Sequence, residues 1–318
     1  MSIVIHFPFW LGDCLMSFPF AHALSEQNKD ETIIAVVDPA NAILVKKLNS
    51  NFIIWEYKKD ERQDLYLALK KERPKSCYLL TNSLGSYIPY IKAGVPKRIG
   101  HGGFWTRFLL NSGVYYSDKS IAQGKRNLSL LGLESSSTPN LITLKSLNHN
   151  SKKHLLIFPG AKYGPAKQWN LKDYAKVAEL ALKDGHRVSL MGTPAEKEDC
   201  LKILSMCEDS DAITDLSGTM NLQQMLDWLE QQENLFCLAN DSGAFHLLSA
   251  CGVPSIGMYF STSDIATPPA YGPFKTVLAD IPCRPCFKRT CPLGHYQCRE
   301  KIIPTNVFKT LLSMNHVH

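Results

Sequence analysis

Apolar and polar positions alternate along this chain in a way that predicts a series of strands, each followed by a helix. Ile3 to Phe9 form a short apolar run, followed by Gly12 and Asp13 and then a helical stretch from Cys14 to Leu24. Thr32 to Val37 form a second run that ends at Asp38-Pro39, and a periodic helix follows through Leu48. Phe52 to Tyr57, a charged helix from Arg62 to Glu72, and Ser76 to Leu80 continue the series, and Ile99 with the Gly-rich residues after it closes this half. Alternation of this kind predicts a parallel sheet covered by helices on both faces.

Lys145 to Lys153 (KSLNHNSKK) is polar and without periodicity, which suits a linker. The alternation then restarts. Strands are expected at His154–Phe158, Arg187–Met191, Ala212–Leu216, Leu235–Ala239 and Val253–Tyr259. Helices are expected at Leu171–Asp184, Ala195–Met206, Leu222–Glu230 and Ser242–Cys251, with a last one from about Thr305 to Ser313. A length of 318 residues is too great for one comfortable core and right for two. The expectation is therefore two Rossmann-like α/β domains, residues 1–150 and 151–318. Ligands of such sheets bind beyond the carboxyl ends of the strands, so the cleft between facing halves is the expected site.

Composition narrows the class. Hydrophobic residues make up 45% and charged residues 20% of the chain, the balance of a soluble globular protein. The apolar N-terminus has no Lys or Arg before it and is interrupted by Pro8, Asp13 and Pro19, so no secretory signal is expected. No run reaches the roughly 18 uncharged apolar residues of a membrane span, and a cytoplasmic location is expected. The net charge of +6 suits an anionic small substrate, a phosphorylated lipid or an anionic membrane surface. Nucleic acid is not expected, because Lys and Arg are spread along the chain and no nucleic-acid-binding motif is present.

Three segments carry candidate chemistry. Trp10-Leu11-Gly12-Asp13 follows the first strand and brings a carboxylate to its end, where Asp13 could be a general base or simply a helix cap. The dinucleotide fingerprint G-x-G-x-x-G is missing from this turn, which argues against nicotinamide-dependent oxidoreduction. Phe158 to Asn170 (FPGAKYGPAKQWN) runs from a strand into a loop with Gly160, Lys162, Gly164 and Lys167. Its glycines and lysines could cradle a diphosphate, or the loop could be a basic surface connection. In Asn240 to His246 (NDSGAFH) Asp241 or Ser242 could cap the following helix, while the free amides at its start attract a diphosphate. His246, one turn inside, could face the same anion or be a core residue.

A fourth cluster lies near the C-terminus: Cys283, Cys286, Cys291 and Cys298, with His295 among them. Cys-x-x-Cys is a common zinc half-site, yet the remaining spacing matches no usual structural zinc pattern, so a structural zinc and unliganded thiols both stand. Disulfides are not expected in a reducing compartment.

In this order and at these separations the segments resemble glycosyltransferase family 9, the ADP-heptose:lipopolysaccharide heptosyltransferases, over nearly the whole chain. PGAKYGPAKQW is similar to the family's donor-loop signature, NDSGAFH to its second donor motif, and Thr81 to Gly100 to its N-terminal segment facing the acceptor. The resemblance implies the GT-B fold, with the sugar nucleotide held mainly by the C-terminal domain and the last helix packed back on the first. It implies Asp13 as catalytic base, and Gly160, Lys162, Lys167, Asp241, Ser242, Gly243 and His246 around the donor. Asp215 falls near a ribose-binding acid of a related member. Asn82, Lys97, Arg98 and Arg107 are the implied acceptor contacts. The implied reaction is an inverting heptose transfer that needs no cofactor, from ADP-heptose to a phosphorylated Kdo-lipid A-heptose acceptor, by an enzyme in peripheral contact with the inner membrane. A different donor or acceptor, or an idle nucleotide-sugar-binding protein, are the alternatives.

Overall fold

A computed structural model describes residues 2–81, 83–102, 106–112, 120–145 and 152–314, with the side chains of 106 and 107 left out. The chain divides into two compact units, Met1–Leu141 and Ile142–His318. The division falls nine residues before the expected domain boundary, at the start of the segment leading to the polar linker.

In the first unit the elements are β1 (Ser2–His6), α1 (Leu11–Leu15), α2 (Phe18–Gln27), β2 (Thr32–Val37), α3 (Ala42–Leu48), β3 (Ile53–Glu56), α4 (Arg62–Glu72), β4 (Ser76–Leu79), α5 (Leu84–Lys92), β5 (Lys97–Gly100) and α6 (Gln123–Ser129). The strands are parallel, in the order β3-β2-β1-β4-β5. Val4, Ile34, Val36, Cys77 and Leu79 point to one face, where Leu65 and Leu69 of α4 and Tyr87 and Tyr90 of α5 bury them. Each such fully buried aliphatic side chain contributes about 1.5–3 kcal/mol. The helix expected from Cys14 to Leu24 is two helices. Ser17 separates them, its hydroxyl donating to the Asp13 carbonyl at 3.0 Å, and Pro19 sits in the first turn of α2, where a missing N–H costs nothing.

The second unit contains β6 (His154–Phe158), α7 (Leu171–Lys183), β7 (Arg187–Leu190), α8 (Lys197–Ser205), β8 (Ile213–Asp215), α9 (Leu222–Glu230), β9 (Leu235–Asn240), α10 (Gly243–Ala250), β10 (Ser255–Tyr259), β11 (Phe274–Leu278), α11 (Gln297–Glu300) and α12 (Pro304–Leu312). Its six strands are again parallel, in the order β11-β10-β9-β6-β7-β8. Taken from β6 onward this is the doubly wound Rossmann order. The apolar face of α12 (Val307 and Leu311, with Met314 beyond it) is buried in this unit's core with Tyr174, Val177 and Ala178 of α7. That corrects the expectation that the last helix covers the first half, because its hydrophobic stripe is already matched by α7. Among the described residues no helix is long and apolar enough to cross a membrane.

Candidate active site

In a doubly wound sheet a crevice opens where neighbouring strands send their connections to opposite sides. In the second unit that place lies between β6, whose chain moves on to β7, and β9, whose chain moves on to β10. The two loops leaving these strands are the lysine-bearing loop before α7 and the Asn240–Ser242 turn before α10.

Asn240, fully buried at the end of β9, joins the two loops. Its side-chain carbonyl accepts from the Trp169 amide at 3.0 Å and the Tyr174 hydroxyl at 2.8 Å. Its amide group donates to the carbonyls of Pro159 at 2.8 Å and Gly160 at 3.1 Å. All four of its hydrogen-bonding positions are thus used. The sequence reading did not single it out. The loop's bend requires glycine at 164, where φ is +146° and a Cβ would press on the Arg289 carbonyl. A Cβ at Gly160 would run into Glu196.

Lys167 and Asp241 meet across this crevice. The Lys167 ammonium donates to Asp241 Oδ2 at 2.6 Å and to the Asp241 carbonyl at 3.2 Å. Thr262 Oγ donates to the same Oδ2 at 2.5 Å, and His246 Nε2 stands 3.7 Å from Oδ1. Asp241 is 3% exposed. Burial alone would raise its pKa, but His246 and Lys167 more than offset that and hold it down at about 2. Asp241 is therefore a fixed anion rather than a helix cap, as one expectation had it.

Ser242 takes the N-cap position of α10, yet its hydroxyl makes no cap bond. Ser242 Oγ and His246 Nδ1 are buried without a hydrogen-bond partner among the described residues. Gly243 opens the helix, so its first-turn amides face the turn. One ammonium proton, one hydroxyl, one imidazole nitrogen and a helix N-terminus thus converge, an arrangement that can receive an anion with several oxygens. Lys162 is exposed on the loop. Asp215, at the end of edge strand β8, accepts from the amide and hydroxyl of Ser217 at 2.9 and 2.6 Å, two strands away from β6.

The equivalent place in the first unit lies between β1 and β4. Asp13 occupies the third position of α1, half-buried in the first helical turn, while Trp10 takes the N-cap position. This corrects the capping alternative for Asp13. Burial pushes the Cys14 thiol up, and the carboxylates of Asp13 and Asp38 push it further. Asp38, which follows β2, was not singled out in the sequence. Its side chain accepts from the Ala40 amide at 3.0 Å. His6, the last residue of β1, is buried, and its Nδ1 lies 2.9 Å from the Tyr90 hydroxyl. Burial lowers its pKa to about 3, so it is neutral.

Of the expected acceptor contacts, Asn82 and the Arg107 side chain lie outside the described residues. Lys97 is exposed at the start of β5. Arg98 donates through its guanidinium to the carbonyls of Leu109 at 3.0 Å and Val95 at 2.8 Å, which braces the turns flanking β5.

Cys283, Cys286, Cys291 and Cys298 line one small cavity together with His295, Arg284 and Ser261. All ten cysteines are free. No three His, Cys, Asp or Glu groups among the described residues are placed to hold a metal ion. Of the two alternatives, the zinc one finds no ligand set among the described residues. Backbone amides, that of Tyr296 first, lower the Cys291 pKa, whereas burial and then the neighbouring thiols raise that of Cys298.

The model of glycosyltransferase family 9 (heptosyltransferase) matches residues 120–297. Lipooligosaccharide heptosyltransferase 2 of Campylobacter jejuni subsp. jejuni serotype O:2 is 27% identical over 100% of both chains. Lipopolysaccharide heptosyltransferase 2 of Escherichia coli K12 is 26% identical over 98% of this chain and 97% of its own. The structure of E. coli ADP-heptose LPS heptosyltransferase II superposes with a TM-score of 0.78 at 22% identity, covering 98% of each chain. This likeness shows the fold, GT-B with two Rossmann-like units.

Proposed function

The chain belongs to glycosyltransferase family 9, and from that premise we propose that it transfers L-glycero-D-manno-heptose from ADP-heptose to the heptose of the lipopolysaccharide inner core, as heptosyltransferase II does. Full-length similarity to two proteins named heptosyltransferase 2 supports the choice of reaction. The observation that carries the donor assignment is the convergence of Lys167, the Ser242 hydroxyl, His246 and the start of α10 at the crevice of the second sheet. A diphosphate there would take the remaining Lys167 proton and the first-turn amides, while Asp241 holds Lys167 in place.

The same geometry divides the roles of the carboxylates. Asp241, held down at about pH 2, is a poor proton acceptor near neutrality. Asp13 is left as the base. In this reading it takes the proton from the acceptor hydroxyl while that oxygen bonds to the anomeric carbon. The bond from that carbon to the donor phosphate breaks on the opposite face, so configuration inverts and ADP leaves with the electron pair. The charge that develops on ADP is met by Lys167 and the α10 amides, so no cofactor or catalytic metal enters the step. Gly160, Lys162 and Gly243 shape the donor loops, Asp215 is assigned to the ribose, and Asn82, Lys97, Arg98 and Arg107 to the phosphorylated acceptor. The enzyme works at the cytoplasmic face of the inner membrane, where such an acceptor is anchored.

The test is mass spectrometry of a truncated Kdo-lipid A-heptose acceptor incubated with the purified chain and ADP-heptose. The expected product carries one added heptose. Intact ADP-heptose binding with no added sugar would overturn the catalytic reading in favour of a binding protein, and preference for another nucleotide sugar would overturn the donor.

A further inference from the structure

The cations of this chain are spread out, but its acids are not. From Arg73 to Ser117 there are 45 residues without one Asp or Glu, and they include Arg73, Lys75, Lys92, Lys97, Arg98 and Arg107. The other 29 Lys and Arg match the 29 Asp and Glu elsewhere, so the whole net charge of +6 belongs to this one segment. Lys75 is paired with Glu31 of the loop before β2 at 2.5 Å, and Arg98 braces backbone carbonyls. Lys92 and Lys97 are exposed.

The centre of the segment is α5, which is apolar on both faces. Tyr87, Pro89 and Tyr90 lie on its buried side. Leu84, Ile88 and Ile91 are 52%, 40% and 36% exposed, and their spacing of four and then three residues makes one stripe along the helix. Lys92 follows in the last turn. The short helical turn Thr106–Leu109 packs beside α5 and carries Phe108, 70% exposed. Several large apolar side chains exposed on and beside one helix mark an interaction surface rather than scattered surface residues.

We propose that the outer face of α5, with the adjoining Thr106–Leu109 turn, docks on an anionic bilayer, the stripe entering the headgroup boundary while Lys92 and Lys97 meet anionic headgroups. The charge selects this occupant. A second copy would bring the same cationic segment against itself, whereas an apolar stripe beside lysines fits a negatively charged interface. The inference rests on the lipid-anchored acceptor proposed above and names the surface that reaches it.

The test uses the full chain and vesicles of phosphatidylcholine alone or mixed with phosphatidylglycerol. Wild-type protein is expected to sediment with the mixed vesicles at least tenfold more strongly and to be released by salt. Leu84→Glu/Ile88→Glu/Ile91→Glu is expected to lose at least tenfold of that binding, with an unchanged melting temperature and transfer to a delipidated, water-soluble acceptor within about twofold. Equal binding of wild type to both vesicles, or undiminished binding of the triple variant, overturns the proposal. So does loss of transfer to the soluble acceptor with vesicle binding intact, which would assign the face to the sugar, or a wild-type dimer that the variant breaks. Should the triple variant not fold, Lys92→Glu carries the test: about tenfold weaker binding to mixed vesicles supports the proposal and no change overturns it. Vesicle binding as expected, without heptose transfer by wild type to any acceptor, would leave the docking face standing and remove the proposed reaction.

Discussion

The two units repeat one strand order, yet the carboxylates at their switch points live in opposite conditions. Asp241 in the second unit is enclosed, with Lys167 and Thr262 on one oxygen and His246 beside the other. Asp13 in the first unit is half-buried in a helix of five residues. A buried anion fixed by a cation organises a binding loop and resists protonation. The role proposed for Asp13 asks instead for a carboxylate that takes up a proton as the acceptor attacks. The comparison teaches that sheet topology decides where a site forms, while the partners of each acid decide which chemistry it can perform.

The largest effect that would test this contrast is at Asp13. Asp13→Asn is expected to lower heptose transfer by about 10²–10⁴-fold while ADP-heptose affinity, measured by calorimetry, changes less than about twofold. Parallel loss of both would move Asp13 from the base role to donor binding. In the second unit, Lys167→Met leaves Asp241 buried without its cation, and urea unfolding should show destabilisation by about 3–5 kcal/mol together with weakened donor binding. Adding Asp241→Leu should restore most of the stability and none of the affinity. A single variant as stable as its parent would mean that the pair does not organise the loops.

Acid separates the buried histidines from the paired carboxylate by pH window. The depressed pKa of Asp241 contributes stability that is present above its unfolded value of 3.8 and is lost as pH falls toward about 2, about 2 kcal/mol in all. His6 is buried neutral, with its pKa lowered from 6.5 to about 3, so the unfolded chain gains a proton first and stability declines already below pH 6.5. Unfolding measured against pH should therefore show an upper phase that His6→Gln reduces, with buried His154, lowered to about 4, supplying part of the rest, and a lower phase removed by Asp241→Asn. One phase untouched by either variant would break the contrast. The smallest expected effect is none: EDTA should leave the transfer rate unchanged, and a rate restored only by added divalent cation would contradict the role given to Lys167.

Much of the scaffold was legible because burial on both faces writes continuous apolar runs. Thr32–Val37, His154–Phe158, Arg62–Glu72 and Leu222–Glu230 lie where their patterns put them. Elements of weaker pattern were not. The helix α5 contains Pro89 and exposes half of its apolar side chains, and the edge strands β5 and β11 are only partly buried, so none has a clear period. Likewise the break at Ser17 is hidden by apolar residues on both sides of it.

The sequence by itself determined two α/β halves, the three loops that hold the candidate chemistry, and the family resemblance those loops carry. Only the tertiary structure decided that Lys167 and Asp241, 74 residues apart, form a pair, that Asn240 and Thr262 complete their setting, that the last helix belongs to the second core, and that four cysteines share a cavity without forming a metal centre. The reason is physical. Periodicity records which side of a local element is buried, whereas the meeting of two loops depends on strand order, and here β6 lies beside β9 only because β7 and β8 are both laid down on its other side before the chain returns.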